Sequence, residues 1–317
     1  MGGAGAQAGI AVVIPFCGPR GHLRASLASV LEQTVPVSEI WVVDDGSPDP
    51  LSPSDLVADD RLHLIRQENR GPASARNLAM RQAGGDWIAF LDADDRWHPR
   101  KLEVQLAAAA RQPAAALIAT RCRRWSEEDA DSLEQWLAGT PGRPAEESVG
   151  LHDLLAGNPI PNSSALVRRS AIAEIGEQDE AREAISVEDW DYWLRIARRH
   201  LLVQVSAELV LWYRHPEALS LRTATALKEM QTHYVLRRHE AWLRPRLGER
   251  AWAHAWAEWD QFFGMRFLRR EADRPAARSR FLRALRRRPL RMQLYRAMLL
   301  TFLPRPPRRA PGRRATR

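Results

Sequence analysis

Four short strand-like runs stand in the first hundred residues, three of them ending at polar clusters, and helical spacing fills two of the gaps between them. That alternation is the strongest constraint on the fold. Residues 10–16 (IAVVIPF), 39–43 (EIWVV) and 86–91 (DWIAFL) are short, apolar and rich in β-branched or aromatic side chains and read as strands, and the more mixed run 62–66 reads as another. Leu23, Leu27, Val30 and Leu31 recur on one helical face, which predicts a helix over 22–33. Gly71-Pro72 opens a second helix over 73–83, Pro99 suits the first turn of a third, and 114–120 predicts a fifth strand. Strands alternating with helices imply an α/β sheet with largely parallel strands. Ligands of such sheets bind beyond the carboxyl ends of the strands. Three polar clusters lie at those ends: 16–20, 44–47 (DDGS) and 92–95 (DADD).

Charge is uneven along the 317 residues. The net +8 conceals a basic segment, 222–317, with 25 Lys and Arg against 7 acids, and a remainder with 22 basic and 32 acidic residues. Read as an average, the chain resembles a nucleic-acid binder; read in parts, it is an acidic body with a basic extension, and no nucleic-acid reader motif accompanies the charge. Two cysteines exclude a disulfide framework and a cysteine-based zinc site, and fit a reducing compartment. Residues 1–9 lack the basic and apolar regions of a signal peptide, and no run reaches the length of a membrane-spanning helix. A cytoplasmic location is therefore expected. Arginine outnumbers lysine 45 to 2, which reads as GC-rich coding and carries no chemistry.

Further along, 127–150 reads as an exposed loop or weak helix, and 158–167 (NPIPNSSALV) as a loop entering a strand. Trp190, Trp193, Leu194 and Ala197 place a helix in 186–200; 201–205 and 208–213 read as a strand pair. From 224 onward the chain is helical, and 304–317 is expected to be a disordered basic tail.

Asp92 and Asp94 lie two residues apart just after a strand, where two carboxylates can share one hard divalent cation; acidic turns without a metal are also common. Glu188-Asp189-Trp190-Asp191 opens a helix, where acids are favoured by the macrodipole whatever else they do.

Taken in order, the first strand with Pro15, then VVDDGS at 42–47, N-x-G-P-x-x-A-R-N at 69–77 and LDADD at 91–95 resemble family-2 glycosyltransferases. The likeness is strong over 10–97 and weaker to about 220. It implies a glycosyltransferase-A fold: a Rossmann-like, mixed, mostly parallel sheet with helices on both faces. Here a C-terminal helical extension would follow, giving a catalytic domain at 1–221, a basic helical extension at 222–303 and the tail at 304–317.

The resemblance also implies roles. Pro15 borders the donor base, Asp45 contacts it with Asp44 as support, and Arg76 lies near the nucleotide. Asp92 and Asp94 bind ribose, diphosphate and a Mn2+ or Mg2+ ion, with His215 beside them, and Asp189 is the catalytic base of an inverting displacement. The donor is a nucleotide sugar, a UDP-sugar before others, and the acceptor a glycan or lipid-linked hydroxyl. Phe16-Cys17-Gly18 departs from the Tyr-Asn pair of many relatives, and no Gln-x-x-Arg-Trp segment of processive synthases is present, which favours single addition.

Two other readings stay open at this stage: a nucleotidyltransferase of related fold, and a non-enzymatic nucleotide-sugar or membrane-binding module. The segment 276–304 suits equally a helix lying peripherally on an anionic membrane and a helix packed on the protein with a solvated basic face.

Overall fold

The structure, a computed structural model, describes residues 9–126, 129, 131–139, 142, 144–215 and 223–303. The chain forms two compact units, Met1–Ala241 and Trp242–Arg317. The expected tail at 304–317 lies outside the described residues.

The first unit is built on one sheet. Its strands are β1 (Ile10–Phe16), β2 (Glu39–Asp45), β3 (Leu62–Gln67), β4 (Trp87–Phe90), β5 (Arg96–Trp97), β6 (Ala115–Trp125), β7 (Glu146–Ser148), β8 (Leu166–Arg168) and β9 (Leu201–Tyr213). They lie in the order β3-β2-β1-β4-β8-β6-β9-β5, with β7 also on β9. β1 runs parallel to β2 and β4, and β2 to β3. β8 is antiparallel to both β4 and β6, so the sheet is mixed where the second half begins. The helices are α1 (Arg20–Leu31), α2 (Pro72–Gln82), α3 (Lys101–Arg111), α4 (Asp131–Ala138), α5 (Leu151–Ala156), α6 (Arg169–Ile175), α7 (Glu188–Ile196) and most of α8 (Thr225–Leu247), whose last residues belong to the second unit.

Periodicity explains the packing. Leu23, Leu27 and Val30 of α1 are buried together with Val12, Ile14, Ile40 and Val42 of the sheet. Each such side chain contributes about 1.5–3 kcal/mol on leaving water. β1 and β4 are buried almost throughout, as expected of central strands covered on both faces.

One expectation is corrected. Residues 201–213 form a single strand, not a pair: Thr120 faces Val205 and Arg121 faces Glu208, so Ser206 and Ala207 are extra residues in the ladder with β6. The bulge imitates a strand break in sequence while the pairing continues on both sides.

The second unit contains α9 (Glu249–Arg266), α10 (Arg274–Arg287) and α11 (Met292–Leu300). Phe263, Phe267, Ala277, Phe281 and Ala297 form its core, and the buried Asp260 accepts from Arg283 and Arg287. Among the described residues no helix is long and apolar enough to cross a membrane.

Candidate active site

The loop after β2 is shaped by its two acids. Asp44 is fully buried, and both its oxygens are taken: Oδ1 by the Ser47 amide (2.8 Å) and hydroxyl (2.6 Å), Oδ2 by the Leu51 amide (3.0 Å) and Arg66 (2.5 Å). Burial pushes its carboxyl up, but the bonds from Ser47, Leu51 and Arg66 outweigh that and hold it below the ordinary value. Asp45 accepts from Gln67 Nε2 (2.8 Å) and from the amides of Arg70 (2.9 Å) and Gly71 (2.9 Å), so it fixes the entry to α2. Pro15, half-buried near the end of β1, stands in register with Val43.

Gly46 lets this loop close. Its φ is +68°, and a Cβ there would lie 2.5 Å from the Asn69 amide nitrogen. Gly46→Ala is expected to cost roughly 2 kcal/mol or more, combining left-handed backbone strain with displacement of 69–71. Urea unfolding measures it; an unchanged midpoint would show that the loop relaxes freely.

Entry through Asp45 points α2 so that Arg76 is buried beneath the strand ends. Its Nη2 donates to Asp92 (2.6 Å) and its Nη1 to Glu188 (2.8 Å) and Gln178 (3.4 Å). With the Asn162 amide turned so that its oxygen faces the guanidinium, that oxygen also accepts from Nε (2.7 Å). Burial alone would lower the guanidinium's pKa; Asp92 and Glu188 raise it, so it stays charged. Its fork is thus committed to protein acceptors.

The 92–95 turn is held from below. Ser163 Oγ accepts from the Asp92 amide (3.0 Å) and donates to Asp95 (2.5 Å), which also accepts from the Tyr213 amide (3.1 Å). Asp95 is therefore a buried anchor, pushed well above its usual range by burial and by Asp94 and Asp92. Asp92 and Asp94 remain partly open, with side chains 37% and 32% exposed. Asp94 Oδ2 lies 3.0 Å from His215 Nε2. Burial and the Asp92 charge raise Asp94, and His215 opposes them. His22, Arg96, Trp125 and Tyr213 line a small pocket of about 80 Å³ that opens on Asp94.

α7 carries the remaining acids. Trp190 and Trp193 donate their indole N–H groups to Leu154 (2.7 Å) and Ile160 (2.8 Å) carbonyls, which fixes the helix start. Asp191, fully buried, receives Arg195 (2.9 Å) and His239 (2.8 Å), so the third acid of the segment is an anchor. Glu188 gives one oxygen to Arg76; its other, Oε2, is buried with no hydrogen-bond partner. An unmet buried acceptor costs about 1–3 kcal/mol, a deficit that a ligand hydroxyl can remove. Asp189 is half-buried and accepts from Asn158 Nδ2 (2.7 Å) and the Trp190 amide (2.7 Å). Its carboxyl is pushed up to about 7, first by burial, then by the Glu188 charge, with Arg76 opposing.

The fold thus joins Arg76, Asp92 and Glu188 by direct contact, sets Asp189 beside them, and pairs Asp94 with His215. Asp44 and Asp45 are spent on the loop and on the α2 entry, and Pro15 lies on the neighbouring strand end. Sequence reading missed the Arg76–Glu188 pair, the Ser163 tie and the Asn158 contact. The N-P-I-P-N-S-S segment was the available signal for the last two.

The model for glycosyl transferase family 2 matches residues 11–176. The chain is similar to the putative teichuronic acid biosynthesis glycosyltransferase TuaG of Bacillus subtilis (39% identity over 102 residues; 31% of this chain, 40% of that protein). It is similar to the UDP-Glc:alpha-D-GlcNAc-diphosphoundecaprenol beta-1,3-glucosyltransferase WfgD of Escherichia coli (39% over 100 residues; 31% and 40%). An uncharacterized glycosyltransferase of Rickettsia conorii is 40% identical over 99 residues, 31% of this chain and 16% of that one. The matched segment therefore spans less than half of these curated relatives. Among solved structures, S. aureus TarS 1–349 in complex with UDP-GlcNAc superposes with TM-score 0.53 at 17% identity, covering 92% of this chain and 90% of that one. The UDP complex gives 0.51 at 19%, with the same coverage. The fold is glycosyltransferase-A.

Proposed function

Because the chain belongs to glycosyl transferase family 2, we propose that it moves a sugar from a nucleoside diphosphate donor to an acceptor hydroxyl of a cell-envelope glycan, lipid-linked or free, with inversion at the anomeric carbon. The observation that carries this reading is Asp189: a carboxyl held near neutrality, tied through Glu188 and Arg76 to the 92–95 turn. A base that must deprotonate a hydroxyl works best with a pKa near the working pH.

In this mechanism the donor lies across the strand ends of β1, β2 and β4. Pro15 and the Asp44–Asp45 loop border its base, with Asp45 aimed by the amides it already holds. Asp189 takes the acceptor proton as the oxygen attacks the anomeric carbon, and the nucleoside diphosphate leaves from the opposite face. Arg76 acts through its partners, fixing Asp92 and Glu188 and tempering their charge on Asp189. A uridine donor is favoured by likeness to the TarS complexes and to WfgD.

The like charges of Asp92 and Asp94, with His215 beside them, suit a divalent cation. Among the described residues no three His, Cys, Asp or Glu side chains converge as a ready-made metal site. Donor phosphates would therefore complete the ligand set, as is usual for Mg2+ or Mn2+. Asp94, with Asp92 and His215, would hold the ion, which when bound neutralises charge on the leaving diphosphate. All these residues fall within the proposed catalytic span 1–221, ahead of a helical extension at 222–303. Unpaired Cys17 and Cys122 fit a reducing compartment and support a cytoplasmic location.

A panel of nucleotide sugars with Mn2+ tests the donor site. A cognate donor at a hundred times its Kd stabilises the fold by about 2.7 kcal/mol, a rise of several degrees in Tm. Asp94→Ala is expected to abolish the Mn2+-dependent part of that rise. Unchanged Tm across the whole panel would remove the nucleotide-sugar reading.

A further inference from the structure

The second unit contains a helix with two apolar faces. α11 turns Leu294 and Ala297 inward, where both are buried with Thr301. At about 100° per residue, Met292 and Leu299 lie about 20° apart on the side opposite that buried pair. They are 67% and 63% exposed. The flanking turns extend the patch with Leu290 (93%), Phe302 (61%) and Leu303 (55%). A surface helix ordinarily gives this side to charged residues. A run of large apolar side chains in that place marks a contact surface.

Charge identifies the partner. Residues 242–317 hold 21 arginines, no lysine and 5 acids. Four of the five acids are engaged within the unit, Asp260 by Arg283 and Arg287, Glu249 by Arg244, Glu258 by Arg291, and Asp273 as the cap of α10, and the fifth, Glu271, acts on Arg266. Arg296 is exposed on α11 close to the Met292–Leu299 face, and Arg286 is exposed in the last turn of α10. Six more arginines and no acid follow Leu303 in the sequence. An aliphatic centre flanked by uncompensated cations matches an anionic lipid surface, whose acyl boundary takes the Leu, Met and Phe side chains while headgroup phosphates meet the guanidinium groups. A second copy would bring the same excess positive charge against itself. A nucleic-acid backbone would answer the charge and leave the aliphatic face in water.

We propose that Leu290, Met292, Leu299, Phe302 and Leu303 form a membrane-docking face that seats the chain in the headgroup boundary of an anionic bilayer. The surface is independent of the sugar-transfer site, so it stands or falls separately from the proposed activity.

Co-sedimentation of the full chain with vesicles tests it, comparing phosphatidylcholine alone with phosphatidylcholine/phosphatidylglycerol mixtures. The anionic vesicles are expected to bind at least about tenfold more tightly, with affinity falling as salt is raised. The double variant Met292→Glu/Leu299→Glu is expected to lose at least about tenfold in binding with an unchanged thermal melt, since both side chains are exposed. Arg286→Glu/Arg296→Glu should weaken binding to anionic vesicles and flatten its salt dependence. Equal binding to neutral and anionic vesicles, or undiminished binding by the Met292→Glu/Leu299→Glu variant, overturns the proposal. So does a self-association that this variant abolishes in a chain that ignores vesicles.

Discussion

Replacing Asp189 with Asn is expected to lower sugar transfer by about 10²–10⁴-fold while leaving donor affinity unchanged. The substitution keeps the shape and one oxygen, enough for the Trp190 amide; the Asn158 amide, which donates to the other carboxylate oxygen, must turn or lose that bond, and the ability to take a proton is gone. With the carboxyl pushed up to about 7, the wild-type rate should climb with pH and level off above about 7, and the variant should lose that limb. Stability should move the other way. The folded state holds this proton up to about pH 7, whereas an unfolded aspartate releases it near 3.8. Folded-state stability therefore falls as pH rises between those values. Asn has nothing to ionise, so the variant should be the more stable protein at pH 8, by on the order of 1–3 kcal/mol. A variant that is inactive and also less stable would point to a structural role instead.

Arg76→Met should be the most damaging single change to the fold of the site. The methionine keeps most of the apolar stem and removes the charge that Asp92 and Glu188 face at 2.6 and 2.8 Å. Removing one partner of a buried ion pair typically costs about 3–5 kcal/mol, because the remaining charge is left unpaired. Here two carboxylates lose their partner, with Asp189 beside them, so donor binding and transfer should fail together. Glu188→Gln is the informative contrast. Its amide oxygen can still accept from Arg76, and the like charge next to Asp189 is gone. The pH limb of transfer should shift downward while the protein stays folded. A limb that stays in place would remove Glu188 as a cause of the raised Asp189 pKa.

Much of the first sheet was legible because its strands obey short-range rules. β1, β2 and β4 are compact apolar runs, and α1 repeats Leu23, Leu27 and Val30 on one face. β5 was invisible: two residues make no pattern, and Arg96–Trp97 are extended because Leu211 and Val210 pair with them from far along the chain. β9 was split for the opposite reason, since Ser206 and Ala207 look like an interruption but are a bulge. The site was legible as an inventory of acids at strand ends. Its wiring was not, because each tie is made across the fold: Arg76 to Glu188 spans 112 residues and Asp92 to Ser163 spans 71. Asp44 shows the difference: the family pattern marks it as donor-side, and the structure fills both its oxygens with loop donors.

The most direct measurement is of the products. The full chain, incubated with Mn2+ and whichever nucleotide sugar stabilises it, can be followed by phosphorus and proton NMR at early times. Nucleoside diphosphate should appear together with a sugar, transferred to acceptor or to water, whose anomeric configuration is opposite to that in the donor. Sugar 1-phosphate or nucleoside monophosphate as the first product, or a sugar of retained configuration, would contradict a single displacement driven by Asp189.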